Sequence, residues 1–341
     1  MRKNRLPRST SPATPAGGRI LREEPVSLHE QLYQWTASQG LDATSARRLR
    51  ALSGVDDPPG DPWTPLRRGA GALAAGLIGF GLILWVAANW DDFGRFMRFG
   101  LLQAVLAVSL IAAAMLRPWR APLALVAFLT LGGLLAFFGQ TYQTGADPWQ
   151  LFALWAALGL PIAWAARSDL AWTPWGLVVA TGIGLWMETF GGHSWRFDAS
   201  TVPVHAIGFV AYGVLCAGLA LRPDALAQPW AWRLAVLASV IAISGTALGG
   251  LFARDVAPQF FLGLGVMAVG LVLAWRRGEV YAMSALALAV DTLLVAGFAR
   301  WIADGKWDVG GYFLIALVAC ALLAGSVSLI MRRLRDAEAR A

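Results

Sequence analysis

Ten long apolar runs alternate with short polar connections from Arg67 to the C-terminal region of the chain. Each run holds 17 to 23 residues, which is close to the ~20 needed for a helix to cross ~30 Å of hydrocarbon. Because backbone polar groups at membrane depth must be satisfied within the chain, such runs predict helices. A membrane β-barrel would instead need apolar residues at every second position. The predicted spans are about 69–89, 99–116, 121–138, 150–166, 171–188, 203–221, 231–252, 258–275, 280–299 and 309–331.

Residues 27–54 carry a different pattern, typical of two short helices with one narrow apolar stripe each. The first helix has a capping box that starts at Ser27 and a stop signal at Gly40. The second is predicted from about Ala43 to Leu52, with Asp42 as its N-cap. The stripe of the first helix consists of Leu28, Leu32 and Trp35. We expect these helices to pack on each other or on a protein partner.

The remaining segments complete the predicted organisation. Residues 1–26 are rich in Arg, Pro, Ser and Thr and predict a disordered basic tail without a secretory signal. Residues 55–66 contain four prolines and predict a stiff linker. Residues 67–335 form the predicted membrane bundle. The expected fold class is all-α, a polytopic transmembrane helix bundle of about ten spans with a short N-terminal cytosolic helical hairpin.

The amino-acid composition indicates that the chain is surrounded by lipid and not by water. Of the 341 residues, 57% are hydrophobic and 14% are charged, whereas ordinary soluble domains hold about 45–50% apolar and about 25% charged residues. These values exclude a soluble enzyme and predict the lipid bilayer as a partner. The 17 tryptophans agree, since Trp favours the headgroup level.

The distribution of basic residues predicts the topology. With a cytoplasmic N-terminus, 22 of the 28 Lys and Arg residues lie on the cytoplasmic side and 6 on the outer side. Most of this excess lies in the two tails, and Arg67, Arg68, Arg332, Arg333 and Arg335 directly flank the first and last spans. We therefore expect a multi-pass protein of the bacterial inner membrane with both termini cytoplasmic. The arginines form no continuous basic face, so nucleic acid is not an expected partner.

Two polar insertions follow outward-going spans. Asn89 and Asp91 follow the first span, and Gln140 and Tyr142 follow the third. One interpretation is that they are polar caps of the neighbouring helices. The other is that all four side chains converge on one outward-facing pocket for a small molecule or ion.

The same insertions carry a resemblance to a known family. The stretches Ala46–Leu52, Val86–Asp91 and Gly139–Ala163 (GQTYQTGADPWQLFALWAALGLPIA) resemble the prokaryotic membrane-protein family called domain of unknown function 2157. The resemblance covers about residues 27–170 and implies a cytosolic helix pair followed by membrane spans. That family has no assigned activity, so the resemblance implies no mechanism.

Motifs for catalysis, cofactors and metals are absent from the sequence. The three histidines, His29, His193 and His205, form no HExxH motif, and neither a G-x-S-x-G turn nor a phosphate-binding loop occurs. Ser244 with His205 is the one pairing that an intramembrane serine protease could use. We expect no cofactor and no metal, and we expect Cys216 and Cys320 to be small core residues.

Small residues and one acidic residue stand out within the spans. Gly71, Ala75 and Gly79 form a small-residue ridge on the first span, and Gly245 and Gly249 form a GxxxG pair on the seventh; both predict close helix packing. Asp291 lies near the middle of the ninth span, where a charge costs roughly 2.5–3.5 kcal/mol. It is interpreted either as a structural hydrogen-bonding residue or as a proton or cation site, and in both cases should face protein or water.

Three hypotheses about function follow. The first is a transporter-like or ligand-sensing bundle with an unidentified small-molecule or ion ligand. The second is a membrane scaffold that recruits a protein partner through residues 27–54. The third, a membrane enzyme, lacks any supporting acid–base or metal cluster in the sequence.

Overall fold

A computed structural model describes seven stretches of the chain, and they are almost entirely helical. They contain twelve α-helices, two single-turn 3-10 helices and no β-strand. The predicted all-α fold class is therefore confirmed for these stretches, which are residues 28–53, 63–88, 94–142, 145–191, 197–222, 229–303 and 309–338.

The chain divides into two units, Met1–Arg68 and Gly69–Ala341. The first unit contains α1 (Leu28–Ser38) and α2 (Ala43–Leu52), as predicted. The turn between them uses Gly40 in the left-handed conformation (φ 58°), which glycine adopts without a steric penalty. The carboxylate of Asp42 accepts hydrogen bonds from the backbone N–H groups of Thr44 and Ser45 and so caps α2. Ser27, the start of the predicted capping box, lies outside the described residues.

The second unit is a helix bundle whose helices match the ten predicted spans, with ends that differ by a few residues. α3 begins in the first unit and continues into the bundle. The bounds are α3 (Trp63–Ala88), α4 (Arg95–Met115), α5 (Arg120–Tyr142), α6 (Pro148–Ala166), α7 (Asp169–Phe190), α8 (Val202–Ala220), α9 (Trp230–Leu251), α10 (Pro258–Arg277), α11 (Val280–Ala303) and α12 (Val309–Glu338).

Among the described residues, nine helices, α4 to α12, are long and apolar enough to cross a membrane. In α3, the described residues Gly69–Leu82 form a further apolar helical stretch. Several exposed tryptophans lie at helix ends, including Trp63, Trp230 and Trp301, where an indole ring suits the membrane interface.

The small-residue ridge on α3 packs inside the bundle, against α5. Ala75 is buried in one cluster with Leu125 and Val126. A side chain added at Gly79 would lie 3.0 Å from the Cδ1 of Leu129. The prediction of close packing at this ridge is confirmed, because these contacts need small residues on α3.

The GxxxG pair on α9 does not form the expected helix–helix contact. A side chain at Gly245 would meet nothing within 4 Å, and one at Gly249 would clash with the ring of Phe197. The close approach of α9 to α10 instead occurs at Ala247 and Gly263. This prediction was therefore wrong about which residues of α9 form the contact.

Short connections and contacts between successive helices give α4 to α12 an antiparallel order. We call the end of the bundle where α5, α7, α9 and α11 finish the distal end, and the opposite end the proximal end. The largest buried core lies among α7 to α11. α12 packs against α11, and no residue of its apolar window is buried within the chain.

Candidate functional site

A cavity of about 340 Å³ lies between α7, α8 and α9 towards the distal end; we call it the distal cavity. Among the described residues, its walls combine apolar side chains with four polar ones. The lining residues are Gly184, Met187, Glu188, Gly191, Phe197, His205, Tyr212, Ile241, Ala242, Gly245 and Thr246.

His205 lies in the first turn of α8, and its ring is buried. Nδ1 lies 2.9 Å from the carbonyl oxygen of Thr201. Because a carbonyl can only accept, Nδ1 carries the hydrogen, and Nε2 of the neutral ring remains an acceptor. Thr201 is itself held by Gln259, whose Nε2 lies 2.8 Å from the Thr201 hydroxyl oxygen. The start of α10 therefore positions His205 through Thr201.

The hydroxyl hydrogens of Tyr212 and Thr246, two residues of the cavity wall, are also donated to backbone carbonyl oxygens. Tyr212 donates to the carbonyl oxygen of Ala180 at 3.0 Å, and Thr246 donates to that of Ala242 at 3.0 Å. Each hydroxyl oxygen keeps a lone pair, so each can still accept a hydrogen bond. The fourth polar residue, Glu188, carries a carboxylate, which only accepts. Glu188 already has an interaction within the chain, so the described part of the wall offers a ligand the acceptors of His205, Tyr212 and Thr246 and no spare hydroxyl or imidazole hydrogen.

The three helices around the distal cavity are joined at the proximal end by a buried ion pair. Nη2 of Arg222, just after α8, lies 2.8 Å from Oδ1 of Asp169, the first residue of α7. Oδ2 of Asp169 accepts hydrogen bonds from the backbone N–H groups of Trp230 and Ala231, in the first turn of α9. The guanidinium also lies over the ring of Trp172, 5.1 Å from its centroid. We call this arrangement the proximal clamp.

The predicted outer pocket can be described only in part. Asn89 and Asp91 lie outside the described residues. The convergence of the four side chains on one pocket therefore stays a prediction. Gln140 and Tyr142 lie in the last turn of α5, which continues past the predicted end of the span. Gln140 is exposed, and the Tyr142 ring packs against Phe138 with centroids 4.8 Å apart.

A hollow of about 550 Å³ lies between the end of α5 and the start of α6. Asp147 and Gln150 contribute polar groups to it, and neither Gln140 nor Tyr142 is in its wall. Gly145, next to the start of α6, has a φ of 62°. The polar insertion therefore contributes to a hollow, but through residues other than the predicted ones.

Asp291 faces protein, as predicted: 8% of the residue is exposed. Its Oδ1 accepts a hydrogen bond from the hydroxyl of Ser326 on α12 at 3.1 Å. Oδ2 is buried and has no hydrogen-bond partner among the described residues. Ser284, seven residues before Asp291 on α11, is exposed. Asp291 lies in the wall of neither the distal cavity nor the α5–α6 hollow.

Ser244 and His205 are not hydrogen-bonded, because His205 bonds to Thr201 and the buried Ser244 hydroxyl has no partner in the described part of the chain. Cys216 is half-buried, but Cys320 is exposed, so the expectation of a core position was wrong for Cys320. Within the described ranges, no group of three or more His, Cys, Asp or Glu residues could hold a metal ion.

Comparison with known proteins is informative for the N-terminal half only. Neither the curated proteins nor the solved structures contain a match to this chain. Residues 33–172 match the model of a family described as a predicted membrane protein, DUF2157. The match includes α2 to α6 and the hollow between α5 and α6. This match confirms, over residues 33–172, the resemblance to that family stated from the sequence.

Proposed function

We propose that this integral membrane protein is a ligand sensor whose distal cavity binds a small organic ammonium compound. The proposal rests on one observation: among the described residues of the wall, each hydroxyl and imidazole hydrogen is already donated to a backbone carbonyl oxygen. What remains for a ligand in the described part of the wall is a set of acceptors from His205, Tyr212 and Thr246. A ligand that donates hydrogen bonds and carries positive charge complements this set, whereas an anion would meet only acceptors.

The other walls of the cavity favour a ligand with an apolar body. Met187, Phe197 and Ile241 supply apolar surface beside the acceptors. A volume of about 340 Å³ lies at the lower end of the ~300–1,000 Å³ range of small-molecule sites. An amine attached to a ring or a short alkyl group has both features.

The proximal clamp supports sensing over transport through this cavity. Transport by alternating access requires α7, α8 and α9 to separate at the proximal end as well as at the distal end. Separation there would break the buried ion pair of Asp169 and Arg222 and the hydrogen bonds from the first turn of α9 to Asp169. Ligand binding is therefore expected to change the packing of these helices at the distal end while the proximal end stays closed.

The same proposal includes the orientation of the bundle. We place both termini in the cytoplasm of a bacterium and the distal end on the outer side of the inner membrane. Arg67, Arg332, Arg333 and Arg335 support this orientation through the excess of positive charge that cytoplasmic segments carry. The distal cavity would then sample ligands outside the cell.

Thermal unfolding of the purified full-length protein tests the ligand class. The probes are 2-phenylethylamine, its N,N,N-trimethyl derivative, 2-phenylethanol and 3-phenylpropanoate. A ligand that binds only the folded state raises the unfolding temperature. We expect the largest rise with the primary amine, a smaller one with the trimethyl compound, which has no N–H, and none with the carboxylate. A rise with the carboxylate equal to that with the amine, or no rise with either ammonium compound, would overturn the proposal.

Flux measurements separate sensing from transport. In vesicles that contain the protein, a radiolabelled amine should bind without accumulating inside. Accumulation above that of protein-free vesicles would support a transporter and contradict a closed proximal end.

A scaffold function is the second candidate, because α1 exposes two aromatic side chains. Tyr33 is 76% exposed and Trp35 is 62% exposed. Exposed aromatic side chains are frequent in the centres of protein interfaces. A photo-crosslinking residue at position 33 or 35 in living cells should then give one discrete product that the exposed position 47 does not give. The same product at position 47, or none at 33 and 35, would count against a scaffold.

A further inference from the structure

A second cavity of about 270 Å³ lies between α8 and α10, and we call it the proximal groove. α9 forms its floor, and the start of α11 contributes to its proximal end.

The groove has the length of one lipid leaflet. Its wall runs along α10 from Val266 to Arg277 and along α9 from Trp232 to Ile243, a rise of eleven residues in each case. At ~1.5 Å per residue this is about 16 Å, roughly half of the ~30 Å hydrocarbon core. A lipid acyl chain in the proximal leaflet therefore matches the groove in length.

The interior of the groove is apolar in effect. The hydroxyl of Ser239 donates to the carbonyl oxygen of Ala235 at 2.7 Å, and Sγ of Cys216 lies 3.4 Å from the same hydroxyl. These polar atoms are thus satisfied within the protein. Gly213 and Leu273 border the groove and are exposed, so it opens sideways, where a membrane helix meets lipid.

Two opposite charges stand at the proximal mouth of the groove. α10 ends at Arg277, Gly278 adopts the left-handed conformation (φ 72°), and Glu279 precedes α11. The backbone N–H of Glu279 donates to the carbonyl oxygen of Ala274 at 3.2 Å, which fixes this turn. Both Arg277 and Glu279 line the groove. A guanidinium and a carboxylate are therefore held at the membrane interface, two residues apart.

We propose that the proximal groove binds a phospholipid with a phosphoethanolamine head group. One acyl chain lies between α8 and α10, the phosphate lies on Arg277, and the ammonium group donates hydrogen bonds to Glu279. Arginine binds phosphate through paired N–H groups, and a basic residue between membrane helices is a common recognition element for lipid phosphates. The paired charges distinguish this head group from two others. Glu279 would repel an anionic head group, and phosphocholine has no N–H to donate to Glu279.

Native mass spectrometry of the full-length protein tests the proposal. The protein is offered equal amounts of phosphoethanolamine, phosphoglycerol and phosphocholine lipids with identical acyl chains. We expect the phosphoethanolamine lipid to be retained in severalfold excess. Arg277→Gln should lower retention of all three lipids by about fivefold. Glu279→Gln should remove the preference for phosphoethanolamine over phosphoglycerol.

Two glycines on α8 provide a matched pair of variants. A side chain at Gly213 or at Gly218 would meet nothing within 4 Å, but only Gly213 lines the groove. Gly213→Leu should abolish the preference for phosphoethanolamine, and Gly218→Leu should preserve it. Equal retention of the three lipids by the unmodified protein, a preference for phosphoglycerol, or equal effects of the two leucine variants would overturn the proposal.

Discussion

Arg222 and Asp169 are 53 positions apart in the chain, and their side chains meet in a buried ion pair of 2.8 Å. Asp169 also accepts hydrogen bonds from the first turn of α9, so one carboxylate joins three helices. This connection explains how α7, α8 and α9 stay together at the proximal end while a cavity separates them at the distal end.

Removal of one charge of this pair should destabilise the bundle strongly. Arg222→Met leaves the buried Asp169 carboxylate without its cation and should lower the free energy of unfolding by about 3–5 kcal/mol. Adding Asp169→Asn removes the unpaired charge but keeps an acceptor for α9, so the double variant should recover part of the loss. Unfolding in detergent measures these values, with the exposed Arg276→Met as control. A loss for Arg222→Met no larger than for Arg276→Met would contradict this role.

The seam between α3 and α5 should tolerate only small residues at the positions in contact. Gly79→Val would press a side chain against Leu129, 3.0 Å away, and should cost about 1–3 kcal/mol of unfolding free energy. Gly76 lies on the same helix, and a side chain added there meets nothing within 4 Å. Gly76→Val is therefore the matched control and should leave stability nearly unchanged. Equal losses for the two valine variants would show that helix propensity, not packing, decides their effect.

The sequence predicts the helices well because each bundle helix is a long apolar run between polar connections. It does not predict which face of a helix is buried, because these runs are apolar all round. α5 and α12 look alike in sequence, but half of the apolar window of α5 is buried and none of that of α12 is. Small residues are a partial exception: the ridge on α3 predicts a true contact, whereas Gly245 lies in a cavity wall.

The candidate site was harder to predict for the same reason. His205 stands out in the sequence as one of three histidines. Glu188 and Thr246 lie near the ends of other spans and carry no motif. Placing Glu188 and Thr246 beside His205 requires knowing which helices are neighbours. No pattern in the sequence supplies that information. Likewise Ser326, the partner of Asp291, is 35 positions away.

Asp291 should act through its hydrogen bond and not through its charge. Asp291→Asn keeps an acceptor for the Ser326 hydroxyl and should change the unfolding free energy by less than about 1 kcal/mol. Ser326→Ala removes the donor and leaves a buried carboxylate oxygen without it, which should cost about 1–3 kcal/mol. Chemical unfolding of the two variants checks this order. A large loss in Asp291→Asn together with none in Ser326→Ala would contradict this structural role.

The stability of α2 should depend on pH through its N-cap. Hydrogen bonds from Ser45 and then from Thr44 lower the pKa of Asp42 from 3.8 to about 2. Because the folded-state pKa is lowered, the stabilisation is complete above about pH 4 and is lost as the pH falls towards about 2. Hydrogen exchange of α2 should accelerate over this range once the intrinsic pH effect is corrected. Asp42→Asn should remove the pH dependence, and a dependence that persists in this variant would assign it to another group.

The central claim, that the distal cavity recognises an ammonium compound through acceptors in its wall, is tested most directly by two threonine variants. Thr246 and Thr292 each donate to the carbonyl oxygen four residues earlier, at 3.0 and 2.7 Å, but only Thr246 lines the cavity. The measurement is the dissociation constant of 2-phenylethylamine for the full-length protein and both valine variants. Thr246→Val should weaken binding by about tenfold, the value of one hydrogen bond to a charged group, and Thr292→Val should leave it unchanged. Unchanged binding in Thr246→Val, or equal weakening in both variants, would contradict the account.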